Sequence, residues 1–158
     1  MEDFTHLDKE GKVRMVDVGD KDETKRVAVA VGAVKMNKET LLKITQNLVK
    51  KGNVLEAARI AGVMAAKKTA DLIPMCHPLN ITHVRVDFFP DLENNLINIE
   101  AEASLKGRTG IEMEALTAVS VAGLTIYDMC KSYDRTMQII NIRLKSKSGG
   151  KSGTFVAE

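Results

Sequence analysis

Tryptophan is absent from this 158-residue chain, and aromatic residues make up only 4% of it. Stacking platforms for nucleic-acid bases are therefore not expected, because they are built from aromatic faces. Cysteine is nearly as scarce. Cys76 and Cys130 are the only two, too few for a disulfide framework and in keeping with a reducing compartment. Neither sign of charge dominates: 23 lysines and arginines stand against 21 aspartates and glutamates, a net charge of +2. So mild a balance does not demand a polyanionic partner, although a few lysines gathered in one cavity would still hold phosphates. No apolar run approaches the roughly 20 residues that span a bilayer. The opening stretch MEDFTHLDKEGK lacks the apolar segment of a secretory signal. The expectation is a cytoplasmic protein that binds neither membrane nor nucleic acid.

What is present suits an ordinary globular core, with 44% hydrophobic and 28% charged residues. The length fits one domain, 1–158, with 1–12 and 146–158 as flexible ends. VRMVDV (13–18) is strand-like. KRVAVAVGAVKM (25–36) alternates, with Val27, Val29 and Val31 on one face, Ala28 and Ala30 on the other, and Gly32 as a bulge. Asn37 is placed to cap a helix that stops at Gly52, and Asn53 with Glu56 to form a capping box for a second helix over 53–72. ITHVRVDFF and LINIEAEAS, joined by PDLENN, form a hairpin with Ile97, Ile99, Ala101 and Ala103 inward. A long helix over 111–131 and a strand over 135–145 complete the order. This is an α+β chain with the ferredoxin-like βα(α)ββαβ pattern, an antiparallel sheet carrying helices on one face.

Several residues bear chemistry. From Ala115 to Tyr127 the long helix has no charge, which predicts deep burial nearly all round. Asp128 and Lys131 follow, three residues apart and therefore on one face. They read either as a helix-end ion pair or, if buried, as a proton shuttle whose lysine pKa the surroundings tune. KGRTG (106–110) opens the same helix, as a plain turn or as an anion site of free N–H groups. Gly150-Lys151-Ser152 is not a phosphate-binding P-loop, because Lys145 stands where that motif needs glycine and no helix can follow. The tail is either disordered or a flap whose Lys147 and Lys151 close over phosphates. In DLIPMCHPL (71–79), zinc spacing is missing, and adjacent Cys76 and His77 would point apart in an extended loop. Pro78 restricts His77 and presents it at a fixed angle.

TADLIPMCHPLNIT, KGRTGIEMEALTAVSVAGLTIYDMCK and KSKSGGKSG, in that order, closely resemble the molybdenum cofactor biosynthesis protein C family, the cyclic pyranopterin monophosphate synthases. The resemblance runs from about residue 15 to the glycine-rich tail. Met75 and Gly123 depart from the family's usual Leu and Ala, and neither change removes a reactive group. The resemblance implies a homohexamer, a trimer of dimers, with active sites at subunit interfaces. It implies a lyase that converts 3′,8-cyclo-7,8-dihydroguanosine 5′-triphosphate, supplied by a radical-SAM GTP cyclase, into cyclic pyranopterin monophosphate and pyrophosphate. It makes Asp128, Lys131 and Lys51 catalytic. It makes Met75, Cys76, His77, Met113, Glu114, Glu112, Lys67, Lys147 and Arg26 substrate contacts. No metal site or cofactor is required, with Mg²⁺ admitted only as a companion of the phosphates. An RNA-recognition module of the same fold is disfavoured, because 25–36 and 96–104 lack aromatics. A ligand-sensing oligomer would leave the charged end of the long helix unexplained.

Overall fold

In the computed structural model, which describes residues 6–158, one five-stranded antiparallel sheet runs in the order β2-β3-β1-β4-β5. In chain order the elements are β1 (Thr24–Lys35), α1 (Lys38–Thr45), α2 (Val54–Lys67), α3 (Thr69–Leu72), β2 (His83–Asp91), β3 (Leu96–Gly107), α4 (Glu112–Cys130), β4 (Gln138–Ser148) and β5 (Phe155–Val156). The α+β, ferredoxin-like reading therefore holds, with one strand added at an edge. Among the described residues no helix is long and apolar enough to cross a membrane.

Alternation decides which face is covered. Ala28 and Ala30 pair with Ala103 and Ala101, and Val86 pairs with Ala101 in turn. All of these are at most 1% exposed. α4 lies over β1, β3 and β4, and α2 lies beside it over β2. Small side chains let these layers come close. A methyl on Gly62 of α2 would stand 3.0 Å from the Ala118 carbonyl, and one on Gly32 of β1 would stand 2.8 Å from Val119. Ile97, Ile99 and Ile126 are essentially fully buried, each stabilising the fold by about 1.5–3 kcal/mol. The opposite face is charged, with Lys145 bonded to Glu100 at 2.7 Å and Arg85 to Asp87 at 3.0 Å. The bulge expected at Gly32 is present: the β1–β4 register shifts between Val31 and Ala33.

Other expectations are corrected. Residues 13–18 form no strand, only a single Leu7–Val13 bridge, and the Val16 carbonyl is bonded to the His77 ring rather than to a sheet strand. α1 ends at Thr45 rather than near Gly52, and Asn47, at φ 55°, breaks it. Asn37 precedes α1 but makes no side-chain cap; instead its own N–H donates to Asp134 at 2.8 Å. Asn53 does accept the Glu56 N–H at 3.1 Å. The helix that follows is interrupted at Lys68, where the buried Thr69 hydroxyl bonds the carbonyls of Ala65 and Ala66.

α4 is covered along its inner side only, and Leu124 is 56% exposed. The charged end expected to be buried is open in the protomer: the side chains of Asp128 and Lys131 are 62% and 52% exposed. At the C-terminal end, β4 continues to Ser148, and β5 folds back on Ser146 and Lys147. Within the arm read as loose, residues 1–5 lie outside the described residues, and 6–13 form a turn closed by Asp8.

Candidate functional site

Apart from Lys67, the residues singled out from the sequence fall into two groups, one at each end of α4. At its start, β1, β4 and the loop before the helix enclose a cavity of about 480 Å³. Arg26 spans it, its guanidinium donating to the carbonyls of Gly107, Arg108 and Gly149, each at 3.4 Å. Lys147 reaches Glu112 at 2.7 Å. Lys21, Arg26, Arg108, Lys147 and Lys151 line the cavity against only Asp22 and Glu112. Five cations to two carboxylates give the cavity a positive lining, which suits a polyanion. Ile111, at the N-cap of α4, offers no capping side chain, so the first amides of the helix add donors on the same side.

An adjoining cavity of about 310 Å³ is lined by Met75, Cys76, His77, Met113 and Glu114. It shares Lys21, Thr109, Gly110 and Glu112 with the first, so the two form one groove. His77 Nε2 lies 2.8 Å from the Val16 carbonyl. A carbonyl only accepts, so in the neutral ring Nε2 carries the proton and Nδ1 is left as an acceptor. Burial first, and Glu114 second, raise the Cys76 thiol above its usual range, which makes it a poor nucleophile.

Glu114 is 3% exposed. Burial pushes its carboxyl upward, and the Glu112 charge adds to the shift while its own amide opposes it. As pH rises through the ordinary carboxylate range, the unfolded chain ionises first, so stability falls until the raised folded value is passed. Glu114→Gln is therefore expected to raise the melting temperature at pH 7. That gain should fade on acidification below the unfolded carboxylate range, as read by thermal denaturation across pH. A pH-independent gain would exclude the titration as its cause.

The second group sits at the far end. From Glu112 to Asp128 is sixteen residues of helix, about 24 Å. Here Lys131 Nζ bonds Asp128 Oδ1 at 2.7 Å. Lys51, from the loop after α1, donates to the Asp128 carbonyl at 3.0 Å and lies 3.7 Å from Oδ2. Lys131 chiefly, and then Lys51, hold the Asp128 carboxyl below its usual range. Asp128 in turn raises Lys131. In the exposed protomer the pair is thus a stable ion pair, and proton exchange within it needs desolvation. Among the described residues no three His, Cys, Asp or Glu gather as metal ligands. Lys67, the last residue of α2, is exposed and lines neither cavity.

Lys21, at the junction of the two cavities, was not legible in the sequence. It is one lysine in the acidic run GDKDET, without periodicity to mark it. Arg108 was visible only as part of a weak helix-start motif.

A family model described as MoaC matches residues 15–150. A cyclic pyranopterin monophosphate synthase of Desulforapulum autotrophicum is 74% identical over 158 residues, covering all of this chain and 97% of that protein. The protein of the same name from Desulfatibacillum aliphaticivorans is 63% identical over all of this chain and 99% of its own length. That of a Roseiflexus strain is 60% identical over 99% of each.

Proposed function

The chain belongs to the MoaC family of enzymes, and from that premise we propose that it acts in molybdenum cofactor biosynthesis on 3′,8-cyclo-7,8-dihydroguanosine 5′-triphosphate, releasing cyclic pyranopterin monophosphate and pyrophosphate. The observation that carries the reading is the groove at the start of α4. Its cationic half suits three linked phosphates, and its other half offers His77 Nδ1 and the buried Glu114 to a purine-derived ring. Forming a cyclic monophosphate from a triphosphate requires a substrate hydroxyl to attack the α-phosphorus. The bond to the β-phosphate breaks and pyrophosphate leaves. Arg26 and Lys147 neutralise charge on the departing group, and Mg²⁺ carried in with the phosphates would add to this. No other cofactor is invoked.

The ring rearrangement needs proton transfers, and Asp128 with Lys131 and Lys51 is the group suited to them. About 24 Å separates that group from the groove along one helix, so one protomer does not bring both to one substrate. A second copy, presenting its Asp128 end to the groove of the first, completes the site. This accords with a homohexamer built as a trimer of dimers in the cytoplasm, fed by a radical-SAM cyclase.

The direct test is to incubate the purified protein with the cyclised triphosphate. Pyrophosphate and the cyclic product are expected in a one-to-one ratio. Absence of turnover by the wild-type protein would overturn the reading.

A further inference from the structure

We propose that Tyr133 is a positioning residue that sets Lys51 against Asp128 through the backbone amide of Lys50; the proposal rests on the catalytic reading of Lys51 and Asp128 above. Lys51 stands on residues 46–53, a connection between α1 and α2 that belongs to neither helix. Two of its residues, Asn47 and Gly52, have positive φ. Val49 is its one buried side chain, while Leu48 is 60% exposed. Short-range bonds, Leu48 N–H to the Lys43 carbonyl and Gly52 N–H to that of Val49, shape the connection but do not fix it against α4.

Besides the bond from the Lys51 ammonium to the Asp128 carbonyl, the backbone of the connection is tied across by a side chain from beyond α4. The Lys50 N–H donates to the Tyr133 hydroxyl at 3.1 Å. Tyr133 is itself held in the turn after the helix, its N–H donating to the Cys130 carbonyl at 2.8 Å. On the other side, Lys43 of α1 places its ammonium 5.5 Å from the ring centroid, an attraction that steadies the ring. Tyr133 thus joins the α1 side to the turn that follows Asp128 and Lys131, one residue from Lys51. A lysine side chain is long and loses much rotamer freedom when held in place. Fixing the backbone beside it reduces the volume its ammonium searches, and a displacement of about 1 Å costs up to about a hundredfold in rate.

Tyr133→Phe removes only the hydroxyl. Turnover kinetics are expected to show kcat down about tenfold and KM within about twofold. The melting temperature should fall by no more than about 3 °C, as suits one exposed hydrogen bond. In a Lys51→Ala background the same substitution should cost nothing further, because the group it positions is gone. Full kcat in Tyr133→Phe, or an equal loss in both backgrounds, overturns the proposal. Wild-type turnover by Lys51→Ala would instead remove the catalytic reading. A measurement independent of turnover then still decides: titration of the Asp128 carboxyl by carbon-13 NMR. Lys131 and Lys51 both lower that carboxyl, so loosening Lys51 should move it upward in Tyr133→Phe, with Lys131 supplying the part that remains. An unchanged titration overturns the positioning role.

Discussion

Lys131→Ala is expected to lower kcat/KM by about a thousandfold while leaving the melting temperature unchanged. The magnitude is that of a lost acid–base group, and the side chain is 52% exposed, so little packing is lost with it. Arg26→Ala combined with Lys147→Ala should be comparably inactive for another reason, the loss of cations that hold the phosphates. The informative experiment expresses the two defective chains together. If each site joins the groove of one copy to the Asp128 end of another, half of randomly formed pairs are mixed. One site in each mixed pair is then intact, and about a quarter of all sites should work. Recovery to that level, from two preparations inactive alone, would establish a site shared between chains. No recovery would place both ends of α4 at separate sites, or make one of them irrelevant to turnover.

Gly149→Ala should be the most destabilising single methyl in the groove. Gly149 has φ 101°, and a Cβ there would overlap the Lys25 carbonyl oxygen. Neither the turn nor β1, already paired on both sides, has room to yield. A loss of about 2–4 kcal/mol is expected from strain and collision together, measured by urea denaturation. Gly150→Ala should differ in kind. Its φ is 77°, and its added methyl would meet the Arg26 guanidinium, the movable end of a long side chain. Much of the collision can be relieved by displacing Arg26, so KM should rise several-fold with a smaller stability loss. Equal stability losses in the two variants would contradict this account.

The element order was legible because period-2 alternation and helix caps are local signals. The hairpin of β2 and β3, the inward Ile97–Ala103 row and the Gly32 bulge all followed from it. What failed depends on distant partners. VRMVDV has the residues of a strand but meets the loop that carries His77, through the Val16 carbonyl, instead of a sheet edge. The break at Lys68, whose backbone leaves the helical region at φ −110° and ψ 11°, has no proline or glycine to mark it. Lack of charge from Ala115 to Tyr127 suggested a helix buried all round, but composition along an axis does not say how many neighbours surround it. The same limit applied to function. Resemblance identified Asp128, Lys131 and Lys51 beside Arg26, Lys147 and His77 as one set, and the helix expected over 111–131 already put Glu112 and Asp128 at opposite ends. What the sequence did not carry is which end the rest join: Arg26, Lys147 and His77 at the start of α4, Lys51 at its finish.

The closest approaches of α4 to α2 and to β1 are made at small residues: Gly62 against Ala118 and Ala122, and Gly32 against Val119. Their consequence is an asymmetry in what substitution can do there. At these glycines and alanines truncation has almost nothing to remove, so the cavities that usually make core variants costly do not arise there. Growth, by contrast, has nowhere to go, since an added methyl meets a carbonyl or a neighbouring methyl at once. Inherited change in this layer is therefore constrained from one side, toward residues no larger than those already present.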